Sequence, residues 1–290
     1  MDYHETPLHF ECEGATLLGV LACPEAAPRV GVVVVVGGPQ YRVGSHRQFV
    51  ALSRALAAEG IACLRFDYRG MGDSEGDVIS FEEIDPDVAA AVNALHRAVS
   101  GLHAVVLWGL CDGATASAFA AARLRVAGVV LFNPWVRNEY ASAEATLRHY
   151  YARRLLQRSF WNKLGSGNVQ FGKALRALLD TLRRFAHGRR KAALPEMRAA
   201  LPVRMGEAVA SYRGPTLIVL SGNDQTAAEF RLAARHPGAL RDAMSRASTT
   251  CVEVPDADHT FSTDRWQGQA VAITLGWLRE RFPVPAEPAS

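Results

Sequence analysis

The sequence has few of the features that mark membrane, secreted or disulfide-stabilised proteins. Its longest strongly apolar run, Val30 to Val36, is far shorter than the roughly 18 residues that a spanning helix needs. The first ten residues contain no basic stretch followed by an apolar one, so we expect no secretory signal. The five cysteines lie far apart without a CxxC pair, a spacing that argues against a zinc ribbon or a disulfide framework. We therefore expect a cytoplasmic, reduced protein without a bound metal.

Charge and composition exclude further classes. The 290 residues are 49% hydrophobic and 21% charged, which is ordinary for a globular protein and excludes disorder, collagen and a coiled coil. The net charge is only +3, which is too small to favour a nucleic-acid partner. The composition therefore points to an ordinary globular fold.

Strand patterns and helix patterns alternate along most of the chain. The valine-rich run Val30 to Val36 is typical of a strand buried on both faces. Strands are predicted over 7–12, 15–22, 30–36, 61–66, 104–108, 126–132, 215–220 and 249–254, and helices over 46–59, 81–99, 112–125 and 264–281. Repeated strand–helix units predict an α/β protein with a mostly parallel central sheet and helices on both faces.

One segment, 134–213, interrupts this alternation because it contains no convincing strand pattern. It holds 16 Lys and Arg against five Asp and Glu, a net charge of +11, whereas the rest of the chain has a net charge of −8. We interpret 134–213 as a basic helical cap inserted after the sixth strand, and 1–133 with 214–290 as the core. The charges either attract an anionic substrate or a carrier protein, or form a solvated outer face.

The candidate nucleophile lies in Leu107-Trp-Gly-Leu-Cys-Asp-Gly113, where a predicted strand runs into a helix of small residues. Gly-x-Cys-x-Gly at such a junction is the nucleophile-elbow pattern with cysteine in place of serine. The turn would present the sulfur of Cys111 at a helix N-terminus, which favours a thiolate. The alternative is a buried structural cysteine. Cys63 and Cys251 lie inside predicted strands, so we expect both to be shielded.

A nucleophile of this kind needs a base and an orienting acid, which follow it in the chain. Asp224 follows the strand predicted over 215–220, and His259 follows the last predicted strand. Both positions lie past the carboxyl ends of parallel strands, where such sheets place their sites. The orienting acid could instead follow the preceding strand, but that position holds Asn133, which cannot ionise. Asp224 is therefore favoured. Asp256 and Asp258 remain alternatives.

Two backbone N–H groups are needed to stabilise an oxyanion. We expect one from Asp112 and the other from Gln40, with Tyr41 in reserve, because Pro39 has no N–H. The segment 67–74 contains Gly-x-Gly but opens no helix directly, so we interpret it as a structural turn rather than a dinucleotide loop.

These features together resemble the α/β-hydrolase superfamily: Asp67-x-Arg-Gly-x-Gly-x-Ser, the turn at Cys111, Asp224 and His259. The resemblance covers nearly the whole chain except 134–213, the place where that superfamily carries its cap. It implies the α/β-hydrolase fold. The sequences at 37–46, 108–113 and 133–135 more narrowly resemble the exosortase A system-associated hydrolases of type 1, bacterial proteins encoded beside exopolysaccharide and protein-sorting genes. This chain departs from the commonest superfamily pattern in having cysteine for serine and Gly37 for a histidine.

The cysteine favours ester or thioester chemistry over the hydrolysis of unactivated amides. We expect a hydrolase that acts on a small acyl substrate, anionic or carrier-bound, through an acyl-cysteine intermediate and without a cofactor. Cysteine members of the superfamily resemble both lactone hydrolases and acyltransferases, so an acyltransferase with the same triad is the first alternative. The second is a non-catalytic binding protein that retains the fold.

Overall fold

The structure is a computed structural model that describes residues 2–38, 40–137 and 200–283. In these residues, one eight-stranded sheet has the strand order β1-β2-β4-β3-β5-β6-β7-β8. Its strands are β1 (Tyr3–Cys12), β2 (Ala15–Pro24), β3 (Val30–Val35), β4 (Ala62–Phe66), β5 (Ala104–Leu110), β6 (Gly128–Phe132), β7 (Thr216–Ser221) and β8 (Thr249–Val254). The β1–β2 and β2–β4 pairs are antiparallel, and every other pair is parallel. The predicted mostly parallel sheet is confirmed.

Helices cover both faces of this sheet. They are α1 (Gln48–Ala58), α2 (Asp85–Ala98), α3 (Asp112–Arg123), α4 (Leu201–Ser211), α5 (Gln225–Arg235), α6 (Ala239–Met244) and α7 (Asp264–Arg281), and a short 3₁₀ turn, Ser45–Arg47, precedes α1. Side chains of α1 and α7 belong to one apolar cluster. Side chains of α2 to α6 belong to the other. The sheet is therefore buried between two helical layers.

The valine run of β3 shows why the central strands are almost wholly apolar. Val33 and Val35 point into the cluster beneath α2 and α3. Val32 and Val34 point into the cluster beneath α1 and α7. All four side chains are fully buried. Because successive side chains of a strand point to opposite faces, a strand covered on both sides needs apolar residues at every position.

Several element boundaries differ from the prediction. The second helix begins at Asp85 rather than at 81, because Pro86 fits the first turn of a helix but not its interior. α5 and α6 were not predicted.

The segment expected to form the cap, 134–213, is described only in part. Residues 138–199 lie outside the described residues. The compact unit that contains the sheet comprises Met1–Arg137 and Leu201–Ser290. α4 belongs to this unit, where it packs on α3 and α6. The division of the chain into a core and a cap remains a prediction for the residues in between.

Two negative findings apply to the described part of the chain. None of its helices is long and apolar enough to cross a bilayer. Nor do its His, Cys, Asp and Glu side chains form a group that could hold a metal ion.

Candidate active site

A tight turn between β5 and α3 carries the predicted nucleophile. Cys111 has φ 62° and ψ −127°, a backbone conformation that residues with a Cβ rarely adopt. Its N–H donates to the carbonyl of Phe132 at 2.9 Å, and its own carbonyl accepts from the N–H of Trp135 at 3.2 Å. The strained turn is therefore held from the side by the end of β6.

The two glycines of the motif are required by close contacts at this turn. A Cβ on Gly109 would lie 2.3 Å from the carbonyl oxygen of Gly113, and a Cβ on Gly113 would lie 2.5 Å from the carbonyl oxygen of Val35. Both distances are far below van der Waals contact, so no other residue fits without moving backbone. The structure thus explains the Gly-x-Cys-x-Gly spacing as the packing of α3 against β3 and β5.

The position of Cys111 differs from that of the other cysteines. It is the N-cap of α3, where the unpaired N–H groups of the first helical turn favour negative charge. Its side chain is only partly buried, whereas Cys12 and Cys63 are buried. The prediction that Cys63 is shielded is confirmed. The prediction for Cys251 is wrong: this residue is exposed because β8 is the edge strand of the sheet.

The predicted base and acid lie together beyond the ends of β7 and β8. Nδ1 of His259 is 3.0 Å from Oδ2 of Asp224. This Nδ1 is buried, and among the described residues it makes no hydrogen bond of regular geometry, so its link to Asp224 is a close charge contact. The side chain of Asp224 is 7% exposed and that of His259 is 33% exposed, so the pair is sheltered on the acid side and open on the imidazole side.

Asp224 has a second role as the N-cap of α5. Its carboxylate accepts the N–H groups of Thr226 at 3.2 Å and Ala227 at 3.0 Å. Burial alone would raise the pKa of this carboxyl, but the close contact with His259 and the two helix N–H groups outweigh it and lower the pKa. The carboxylate therefore stays ionised and can hold the imidazole with its other nitrogen facing away.

The loop after β3 is held against the nucleophile turn by the side chain of Asp112. One carboxylate oxygen accepts the N–H of Gly38 at 2.8 Å, and the other accepts the N–H of Gly113 at 3.0 Å. A Cβ on Gly37 would lie 2.1 Å from this carboxylate, which explains why glycine occupies that position. The spacing between the loop and the turn is thereby fixed.

The electrostatics of Asp112 reflect its buried position beside Cys111. Burial raises the pKa of its carboxyl, although the N–H groups of Gly38 and Gly113 and the charge of a protonated His259 act in the opposite direction. Its backbone N–H is at the start of α3, as the predicted oxyanion donor requires. Gln40 lies partly buried in the loop after β3, and its role as the second donor remains a prediction.

Sequence reasoning missed the anchor of this loop. Asp67, at the end of β4, is fully buried and accepts the backbone N–H of Arg42 at 2.6 Å, while its carboxylate also pairs with the Arg42 guanidinium. A Cβ on Gly72 would lie 2.1 Å from the same carboxylate. The Gly-x-Gly segment is therefore a structural turn, as predicted, and it positions the loop after β3. Asp67 and Arg42 are 25 residues apart, so no local pattern links them.

Comparison with known proteins identifies the family. The model of the Alpha/beta hydrolase family matches residues 32–272, most of the chain. The chain belongs to this family. It is also similar to Protein ABHD12B of Homo sapiens, with 33% identity over 158 residues that cover 51% of this chain and 42% of the relative. The matched region thus spans less than half the length of that curated relative.

Solved structures show the same fold at low sequence identity. The esterase Pf2001 of Pyrococcus furiosus aligns with a TM-score of 0.64 and 15% identity, covering 96% of this chain and 93% of that one. Est1E of Butyrivibrio proteoclasticus, solved with ferulic acid bound, aligns with a TM-score of 0.62 and 17% identity, covering 96% of this chain and 100% of that one. The fold is therefore the α/β-hydrolase fold, shared with esterases.

Proposed function

We propose that this protein is a cysteine-dependent hydrolase that cleaves an ester or a thioester. In this proposal Cys111 is the nucleophile, His259 is the general base and acid, and Asp224 orients the imidazole. The backbone N–H groups of Asp112 and Gln40 stabilise the oxyanion. No cofactor is needed for this chemistry.

The observation that carries the proposal is the strained turn at Cys111 (φ 62°) at the N-terminus of α3. Such strain persists only where the surrounding structure enforces it, and it is concentrated at functional sites. The buried pair of His259 and Asp224, 3.0 Å apart, supplies the two further groups that a nucleophile requires. A buried structural cysteine would need neither the strain nor the pair.

The first half-reaction forms the acyl-enzyme. His259 takes the thiol proton, and the sulfur of Cys111 attacks the carbonyl carbon of the substrate. The carbonyl π electrons move to oxygen, where the N–H donors stabilise the negative charge. When the intermediate collapses, the alcohol or thiol leaves and takes the proton from His259. The ion pair with Asp224 stabilises the imidazolium between these two transfers.

The second half-reaction releases the product. His259 removes a proton from water, and the resulting hydroxide adds to the thioester carbonyl. Collapse expels the thiolate of Cys111, which recovers the proton from His259, and a carboxylic acid leaves. If an alcohol or amine entered in place of water, the same groups would carry out acyl transfer.

Steady-state kinetics with a small neutral ester and a small thioester test the proposal. We expect Cys111→Ala and His259→Ala to lose several orders of magnitude in kcat/KM, because each removes a group that acts in the transition state. Cys111→Ser should remain slow, because a hydroxyl ionises far less readily than a thiol. Cys251→Ala is the matched control: it removes an exposed thiol from the edge strand and should leave the rate unchanged.

Three results would overturn this proposal or redirect it. Full activity of Cys111→Ala would exclude the cysteine mechanism. Product analysis by mass spectrometry, with alcohol and amine acceptors present, would identify an acyltransferase if the ester or amide exceeded the free acid. No turnover of any substrate, with Cys111 alkylated no faster than Cys251, would favour a binding protein that retains the fold.

We further propose that the basic segment 134–213 selects an anionic acyl substrate or the acidic surface of a carrier protein. Its net charge of +11 would attract such groups before they reach the site. The screening length falls from about 10 Å at 0.1 M salt to roughly 3 Å at 1 M, so the attraction should weaken with salt. We expect kcat/KM for an anionic thioester to fall steeply over this range and that for a neutral ester to change little. The same salt dependence of kcat/KM for both substrates would contradict this role and leave the positive charge of 134–213 with a role in solubility.

The proposed setting follows from two further features. The sequences at 37–46, 108–113 and 133–135 resemble the exosortase A system-associated hydrolases, so we propose an acyl substrate linked to exopolysaccharide or protein-sorting systems. A thiolate nucleophile must stay reduced, which favours the cytoplasm as its location.

A further inference from the structure

We infer that Asn133 is a positioning residue that holds the loop of His259 in register with the loop of Asp224. The inference rests on the proposed function, because it concerns how the proposed acid and base are aligned. Asn133 is fully buried directly after β6 and has φ 45°, in the left-handed region that asparagine tolerates better than most residues. Its side chain therefore starts from a fixed and unusual backbone position.

The side-chain amide of Asn133 joins the two loops by three hydrogen bonds. Its Oδ1 accepts the backbone N–H of Ser221 at 2.8 Å, and its Nδ2 donates to Oγ of Ser221 at 2.9 Å. The same Nδ2 donates to the backbone carbonyl of His259 at 3.0 Å. The orientation of the amide is determined by these partners, since only an oxygen can accept the Ser221 N–H and only an NH₂ can meet a carbonyl.

Ser221 extends this connection on both sides. It ends β7, three residues before Asp224, and its Oγ donates to the carbonyl of Asp258 at 2.9 Å. The backbone carbonyl of the proposed base, His259, thus accepts from Asn133, and the carbonyl of the residue before it, Asp258, accepts from Ser221. Asn133 and Ser221 therefore set the distance between the loop of Asp224 and the loop of His259. The 3.0 Å contact between Asp224 and His259 spans these two loops.

Asn133→Asp breaks this connection selectively. The aspartate retains an oxygen for the Ser221 N–H, but where Nδ2 donated it presents a second oxygen toward the carbonyl of His259. Once ionised, it repels that carbonyl; when protonated, it can still donate through its hydroxyl. We expect the variant to lose about 100-fold in kcat, the order found when a reacting group is displaced by about 1 Å. KM should change little, and the loss should grow as pH rises.

Ser221→Ala is the milder comparison, because it removes the hydroxyl but keeps the bond from Asn133 to the carbonyl of His259. We expect it to lose roughly tenfold in kcat, because the hydroxyl makes two neutral hydrogen bonds, one with Nδ2 of Asn133 and one with the carbonyl of Asp258. Should Asn133→Asp fail to fold, the proposal still requires this loss in Ser221→Ala. Thermal unfolding of each variant establishes that it is folded before its rate is compared.

A double-mutant cycle separates alignment from general stability. In an Asp224→Asn background the imidazole is no longer held correctly, so Ser221→Ala, which introduces no carboxylate beside His259, should cost little further in kcat. The same fold-loss of Ser221→Ala in both backgrounds, or a loss in Asn133→Asp that is independent of pH, would show a merely structural role and overturn the inference. Cys111→Ala assayed alongside distinguishes the two failures: if it is inactive while both Asn133→Asp and Ser221→Ala are normal, only the inference fails. If Cys111→Ala is active, the proposed function fails.

Discussion

Asp224 carries two separable roles, and substitution distinguishes them. Its carboxylate caps α5 and contacts Nδ1 of His259. Alanine removes both interactions, whereas asparagine keeps an oxygen for the helix N–H groups. Loss of an N-cap side chain costs about 0.5–2 kcal/mol, and asparagine caps a helix about as well as aspartate. Asp224→Ala should therefore lower the free energy of unfolding by that amount, and Asp224→Asn should leave it nearly unchanged.

The effect on catalysis should not follow the effect on stability. An asparagine amide that donates to Nδ1 of His259 forces the wrong tautomer, because the proton then lies on the nitrogen that must accept one. A triad whose histidine carries its proton on the wrong nitrogen is expected to lose about 10⁴-fold in kcat. We expect both Asp224→Asn and Asp224→Ala to be this slow, although only the second is destabilised. Urea unfolding and ester hydrolysis on the same samples provide the two measurements.

Thr263→Ala is the matched control for the cap. Thr263 is the N-cap of α7, and its hydroxyl accepts the N–H of Trp266 at 3.3 Å. Its removal should cost stability in the same range of about 0.5–2 kcal/mol without an effect on kcat. A wild-type rate for Asp224→Asn would refute the assignment of Asp224 as the orienting acid. An equally slow Thr263→Ala would show that the rate merely reports stability.

Three further predictions follow from the geometry and the pKa shifts. Brief iodoacetamide treatment and peptide mapping should find Cys111 labelled first, because burial raises the pKa of Cys12 to about 11 and that of Cys63 to about 12; dominant labelling elsewhere would contradict its assignment as the reactive thiol. Gly109→Ala should cost about 3 kcal/mol or more in unfolding free energy, since its Cβ would lie 2.3 Å from a carbonyl oxygen, whereas Gly276→Ala in α7 meets nothing within 4 Å and should be neutral or stabilising. Because the pKa of Asp224 lies below its ordinary 3.8, the wild type should lose stability relative to the non-titrating Asp224→Asn as pH falls below that value; equal pH dependence in urea unfolding would contradict this.

The fold was largely predictable because its strands carry strong local patterns. The limits of β8 and α7 agree with the prediction, and the alternation of strands with helices gave the parallel sheet. α5 and α6 lie between β7 and β8, a stretch in which no helix was predicted. The exposure of Cys251 was not predictable from its own strand, because it depends on β8 being last in the sheet order.

The candidate site was predictable only where chain order and local motif define it. Cys111, Asp224 and His259 follow three strands in the order that the elbow pattern requires, and the structure places Asp224 and His259 in contact. The side-chain role of Asp112 was not visible, because its partner Gly38 is 74 residues away. Asn133 was considered only as a residue that cannot ionise, and its partner carbonyl at His259 is 126 residues away. Contacts of this range depend on the packed sheet and leave no local pattern.

Catalysis by Cys111 requires a covalent bond between the substrate and its sulfur, and mass spectrometry of the quenched protein tests this most directly. The protein is mixed with an excess of a slowly hydrolysed thioester or activated ester, quenched in acid during turnover, and digested for peptide mapping. We expect a mass increase equal to one acyl group, located on the peptide that contains Cys111, lost on treatment with hydroxylamine and absent from Cys111→Ala. Turnover without any adduct on that peptide, or an adduct on another residue that persists in Cys111→Ala with full activity, would contradict the account.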